Sequence, residues 1–150
     1  MKKQLNILLA DDDQDDREFF DKALKELPIS AQLTTVHDGE QLMTYLSENS
    51  ETLPTVLFLD LNMPRKNGFE CLAEIKQNEK LKSLPVVIFS TSFSQDKITM
   101  LFNKGARVYV RKPSNFEQLI EVIHNALPIA VEQLFSNKQK NQQLNYILNA

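Results

Sequence analysis

Two hydrophobic periodicities alternate along the chain as far as about residue 127, and this alternation constrains the fold more than any other feature. Short unbroken apolar runs are each followed by a stretch whose apolar residues recur at helical spacing. Residues 5–10 read as a strand, after which Asp11-Asp12-Asp13-Gln14-Asp15-Asp16 opens a helix with Phe20, Ala23, Leu24 and Leu27 on one face, ended by Pro28. Residues 31–36 form a Thr-rich, half-polar run with the character of an edge strand. His37-Asp38-Gly39-Glu40 follows as a turn, then residues 41–47 as a helix with Leu42, Met43 and Leu46 inward. Val56-Leu57-Phe58-Leu59, bounded by Pro54 and Pro64, is apolar at every position, as in a parallel strand covered by helices on both faces. Residues 65–68 are a loop and 69–76 a helix; residues 85–89 are a fourth strand and 95–103 a helix closed by Gly105. A short strand over 107–111 leads to a last helix, which Ser114 is expected to cap, with Phe116, Leu119, Ile120, Val122 and Ile123 on its apolar face. Five strands, each followed by a helix, predict a doubly wound α/β domain.

With 150 residues, one domain over 1–127 accounts for the alternating region and can bury roughly 68–70% of its unfolded surface. Seventeen basic and twenty acidic residues give a net charge of −3, so bulk charge offers no footprint for nucleic acid. The apolar run behind Met1-Lys2-Lys3 ends at Ala10, too short for a signal peptide or a membrane span, and a cytoplasmic location is expected. The single cysteine, Cys71, lies in a helical pattern and reads as a packing residue. His37 and His124 have no partner at metal-ligand spacing and read as surface or packing residues.

Chemistry enters at the carboxyl ends of the strands, which converge on one crevice in a parallel sheet. Asp11 and Asp12 follow the first strand, Asp60 the third, Ser90 the fourth and Lys112 the fifth. Asp13, Asp15 and Asp16 have a simpler assignment, because carboxylates cap and complement the positive N-terminus of a helix. Carboxylates brought together repel one another unless a hard divalent cation sits among them, and Mg²⁺ suits an all-oxygen site that keeps several waters. A carboxylate held against such a metal can attack phosphorus and form an aspartyl phosphate. Lys112 would neutralise the transferring phosphoryl group and the Ser90 hydroxyl would donate a hydrogen bond to it.

Asp11-Asp12, Leu59-Asp60-Leu61-Asn62-Met63-Pro64, Ser90 and Lys112-Pro113, in this order and spacing, resemble the receiver domain of two-component response regulators. The resemblance implies a flavodoxin-like sheet of order 2-1-3-4-5 and a signalling protein, not a turnover enzyme. It makes Asp60 the phosphoacceptor, supplied by a histidine kinase or a histidine phosphotransfer protein. It places Mg²⁺ or Mn²⁺ directly on Asp12 and Asp60, on Asp11 mostly through water, and on the backbone carbonyl of Asn62. Ser90 stands where the family more often has threonine, and Lys112 is the phosphate-binding lysine. Ser90 and Tyr109 become the switch pair, with output through the fourth helix, fifth strand and fifth helix, and phosphoryl lifetime depends on neighbours such as Asn62 and Ser92. The Lys112–Pro113 bond is a candidate cis peptide.

Beyond residue 127 the resemblance stops, and residues 128–150 are expected as a tail, helical in part, too short for a DNA-binding domain. Its apolar residues, Ile129, Val131, Leu134, Phe135, Leu144, Tyr146, Ile147 and Leu148, either fold back on the domain or mediate a homodimer or kinase contact. Two rival functions stay open. A phosphatase of the haloacid-dehalogenase type also uses an aspartyl phosphate, but it needs an aspartate where this chain has Asn62. A pseudo-receiver would serve as a protein-interaction module without phosphorylation, and has no need of Asp11, Asp12, Asp60, Ser90 and Lys112 together.

Overall fold

The computed structural model describes residues 4–91, 94–131 and the backbone of 146–148. The strands are β1 (Leu5–Ala10), β2 (Ala31–Val36), β3 (Val56–Leu59), β4 (Val86–Ser90), β5 (Val108–Arg111) and β6 (Tyr146–Leu148). The helices are α1 (Gln14–Lys25), α2 (Gly39–Glu48), α3 (Gly68–Gln77), α4 (Gln95–Asn103) and α5 (Phe116–Ala130). The first five strands are parallel and lie in the expected order, β2-β1-β3-β4-β5. A sixth strand, β6, extends the sheet beyond the expected five by pairing in parallel with β5, Val108 opposite Tyr146 and Val110 opposite Leu148.

The helices cover both faces, which is why β3 and β4 are buried at every position. Under α1 and α5 lies one core, containing Ile7, Leu9, Phe20, Phe58, Phe89, Leu119 and Ile123. Under α2, α3 and α4 lies the other, with Leu8, Leu42, Leu57, Leu59, Leu72, Ile88 and Ile98. Phe20, Phe58 and Phe89 meet edge to face, with centroids 5.0 to 6.2 Å apart, and lock α1 onto the middle of the sheet.

Helix ends follow from side-chain chemistry. Asp13 caps α1 by accepting from the Asp16 N–H, and Asp38 caps α2 from the Gln41 N–H, drawing Gly39 and Glu40 from the expected turn into the helix. Asn67 and Glu70 form a reciprocal capping box at the start of α3. Asn115, not Ser114, caps α5: its side chain accepts from the Gln118 N–H, leaving Ser114 exposed one residue outside. Gly105 takes the left-handed conformation, φ 108°, that closes α4. α5 runs past residue 127 to Ala130, with Pro128 inside it, so the start of the expected tail is helical. Tyr146–Leu148 is strand, while Leu134, Phe135 and Leu144 lie outside the described residues.

Candidate functional site

Short backbone links tie the carboxyl ends of the central strands together. The Asp11 N–H bonds Val36 O at 3.1 Å, the Asp60 N–H bonds Ala10 O at 2.9 Å, and the Lys112 N–H bonds Ser90 O at 2.9 Å. The residue just past each strand is thereby held by the neighbouring strand, and its side chain projects into the crevice between β1, β3, β4 and β5. Asp11 is fully buried, Asp60 nearly so, Ser90 is fully buried at the end of β4, and Asp12 is exposed at the rim.

The carboxylates of Asp11, Asp12 and Asp60 converge, with one ligand oxygen from each lying within 4.8 Å of the others. The Lys112 ammonium, its side chain 10% exposed, stands beside them, 2.8 Å from Asp11 Oδ2 and 3.6 Å from Asp60 Oδ2. It also lies 5.4 Å from the centre of the Phe89 ring, a position that favours a cation over the ring face. Asp11 Oδ1 accepts from the Asp13 N–H at 3.0 Å. Asp11 Oδ2 is ion-paired with Lys112 but accepts no aligned hydrogen bond among the described residues.

Electrostatics follow from this crowding. Burial pushes the Asp60 carboxyl up to about 6; the Lys112 ammonium and the Asn62 backbone N–H oppose the rise, and Asp11 and Asp12 add to it. Asp11 is raised for the same first reason, against the pull of Lys112 and the Asp13 N–H. Lys112 is raised although burial alone would lower it, because Asp11, Asp60 and Asp16 outweigh the desolvation. Such a donor set fits a hard divalent cation: the grouped side chains offer only oxygen, their charges repel one another, and buried Asp11 Oδ2 has unused acceptor capacity.

Tyr109 lies fully buried in the core beneath α2, α3 and α4. Burial raises its phenol, and a side-chain hydrogen bond with Ser90 opposes the rise. The residues named as a switch pair are therefore in contact. The exposed Asn62 brings its backbone N–H to Asp60. Ser92 lies outside the described residues.

Two features depart from expectation. Every peptide bond of the described residues is trans, which corrects the cis bond expected at Lys112–Pro113. Trans is favoured by about 0.5–1 kcal/mol even before proline, and with the trans chain Lys112 already bonds Ser90 O and reaches the carboxylates, so these contacts form without the cis isomer. Asp16, assigned from sequence to the helix terminus alone, also takes a hydrogen bond from Lys112 Nζ at 2.9 Å. Its position at the third residue of α1, one turn beyond Asp12 on a helix starting at the strand end, is the signal that could have found it.

His37 and His124 are exposed, Cys71 is buried with its thiol pushed up to about 12 by burial, and none of them joins the cluster. No helix among the described residues is long and apolar enough to cross a membrane.

Known proteins share this arrangement of strands. The response regulator Rcp1 of Synechocystis sp. is 35% identical over 121 residues, covering 78% of this chain and 82% of that protein. The structure of the phosphorylated cyanobacterial phytochrome response regulator RcpA superposes with a TM-score of 0.78 at 32% identity, covering 87% of this chain and 96% of that one. The Mn²⁺-bound form of Rcp1 gives a TM-score of 0.75 at 32% identity, over 85% of this chain and 95% of that one. The family described as the response regulator receiver domain matches residues 7–124, from within β1 to within α5, and the chain belongs to it.

Proposed function

We propose that the chain is a single-domain response regulator, its receiver unit spanning residues 1–127, that accepts a phosphoryl group on Asp60 from a histidine kinase or a histidine phosphotransfer protein. The observation that carries this is the convergence of Asp11, Asp12, Asp60 and Lys112, from separate strand ends, on one crevice. Asp60 is the nucleophile: a carboxylate oxygen attacks phosphorus, a new O–P bond forms, and the P–N bond to the donor imidazole breaks with its electron pair leaving on nitrogen. Lys112, already 3.6 Å from Asp60, neutralises charge on the phosphoryl oxygens, and the Ser90 hydroxyl donates to one of them. Asp12 and Asp60 directly, Asp11 largely through water, and the Asn62 carbonyl would hold Mg²⁺ or Mn²⁺, which when bound lowers the repulsion between carboxylates and phosphoryl oxygens. The chain turns over no external substrate; it catalyses its own phosphorylation and a slow hydrolysis of the product.

Drawing Ser90 towards a phosphoryl group changes its contact with Tyr109, whose strand lies between α4 and α5 in the chain. The output is accordingly a population shift of the surface made by α4, β5 and α5. A homodimer through the C-terminal surface or tail is part of the same proposal; deleting residues 132–150 should convert the dimer to a monomer, and an unchanged number of protomers removes the tail from that role. The site is cytoplasmic, with no part in binding DNA.

Intact-protein mass spectrometry after incubation with acetyl phosphate and Mg²⁺ tests the central claim. One acid-stable, base-labile phosphoryl adduct is expected on the native chain and none on Asp60→Asn. A native chain without an adduct favours the interaction module, and an equal adduct on the variant moves the acceptor elsewhere.

A further inference from the structure

Lys112 has more anionic partners than its proposed reaction requires. Its ammonium lies 2.8 Å from Asp11 Oδ2 and donates a hydrogen bond to Asp16 Oδ2 at 2.9 Å, both nearer than Asp60 Oδ2 at 3.6 Å. The lysine side chain is 10% exposed, so these contacts act where solvent screens them poorly. Asp16 differs from the others in kind. It comes from α1 instead of a strand end, its side chain is 40% exposed, and it is not among the grouped ligand carboxylates. Its backbone N–H is fixed by the Asp13 cap at 3.1 Å, and the neighbouring Arg17 guanidinium donates to Asp11 O at 2.8 Å, so the first turn of α1 is pinned to the strand end.

We infer that Asp16 is a positioning residue that holds the Lys112 ammonium in the unphosphorylated protein and competes with the incoming phosphoryl group for it. This rests on the phosphoacceptor role proposed for Asp60. A cation among Asp11, Asp12 and Asp60 weakens the hold of Asp11 on the lysine, whereas Asp16, outside that group, keeps its own hold. A phosphoryl group on Asp60 must therefore share Lys112 with Asp16, and hydrolysis lets the lysine return. The Asp16 charge also lies close enough to repel a dianionic donor. Both effects act in one direction: Asp16 weakens binding of phosphoryl donors and shortens the life of the aspartyl phosphate.

The test uses the full chain with Mg²⁺, comparing native protein, Asp16→Asn and Asp16→Glu. Fluoroberyllate affinity is read by ¹⁹F NMR, and phosphorylation by acetyl phosphate is followed to saturation. Asp16→Asn should bind fluoroberyllate about three- to fivefold more tightly and lower the half-saturating acetyl phosphate concentration by a similar factor, the range of a partly exposed ion pair. Its saturating rate should stay within about twofold, its phosphoryl group should live longer, and Asp16→Glu should move each quantity back towards native. A merely structural role would lower the saturating rate and leave the half-saturation and fluoroberyllate affinity unmoved; that result overturns the inference. If the native chain takes up neither phosphoryl group nor fluoroberyllate, the phosphoacceptor role of Asp60 fails first. Uptake by the native chain with unchanged values in Asp16→Asn removes Asp16 alone.

Discussion

Asp60 carries a charge in a place that disfavours it. Burial raises its carboxyl from the ordinary 3.8 to about 6, and in the absence of metal the Lys112 ammonium offsets only part of that. A raised carboxyl is more readily protonated in the folded state than in the unfolded one, so its contribution to stability is greatest below pH 4 and is lost as pH rises through 6. Asp11 is shifted in the same direction and adds to the trend, whereas Lys112, shifted upward, stays protonated in both states across this window. Two pKa units correspond to about 3 kcal/mol. In EDTA, Asp60→Asn should therefore raise the stability measured by urea unfolding at pH 7 by about 2–3 kcal/mol, and by almost nothing at pH 4. Added Mg²⁺ should stabilise the native chain at pH 7 and leave the variant nearly unchanged. A native chain as stable as Asp60→Asn at pH 7 without metal would mean that the buried charge is relieved by something other than a cation. Asp16 shows what sequence hides at this scale. A carboxylate in the first turn of a helix is already explained by the helix, so only its place one turn beyond Asp12 points to its bond with Lys112, distant in the chain.

At the scale of elements, the site depends on how closely α3 approaches the turn after β3. Gly68, the first residue of α3, donates its N–H to Leu61 O at 2.9 Å. A Cβ there would fall 2.5 Å from Asp60 O and 2.8 Å from Leu61 Cα, both backbone atoms that cannot swing aside. Gly68→Ala should cost about 1–3 kcal/mol and move Asp60, weakening Mg²⁺ binding and slowing phosphorylation. Asn67→Ala, one residue earlier, breaks the capping box and should cost about 1 kcal/mol while leaving the phosphorylation rate intact. Urea midpoints and acetyl phosphate kinetics on the two variants separate a crowding effect from loss of helix stability. The same elements show what was legible. β3 and β4 could be read directly because helices on both faces require unbroken apolar runs. The start of α3 was harder, since Asn67 and Gly68 suit a turn and a helix cap equally well until the reciprocal Glu70 bond is seen. Lys112–Pro113 could not be decided from sequence, because the intrinsic preference at a proline is too small to fix either isomer.

Across the whole molecule, periodicity gave the layers, resemblance gave the strand order, and neither gave β6. Three residues in a tail carry no periodic signal, and only the pairing of Tyr146–Leu148 with Val108–Val110 identifies them as strand. That pairing means β5 is not the edge of the sheet. An edge strand presents a row of unpaired N–H and C=O groups, and β5, the strand that carries Tyr109, would otherwise present such a row. A chain ending at Val131 keeps α5 whole, since that helix runs to Ala130 and Val131 is buried. It removes β6 alone among the described strands. The β5 amides that face β4 should keep their protection in hydrogen exchange, while those that face outward should exchange faster by about one to two orders of magnitude, as expected of local opening at an uncovered edge. Asp60 should still be phosphorylated at close to the native rate, because its strand is separated from β6 by β4 and β5. Uniform loss of protection across β4 and β5 would instead make β6 an integral part of the core. Unchanged exchange at every β5 amide would mean that β6 does not cover the edge in solution.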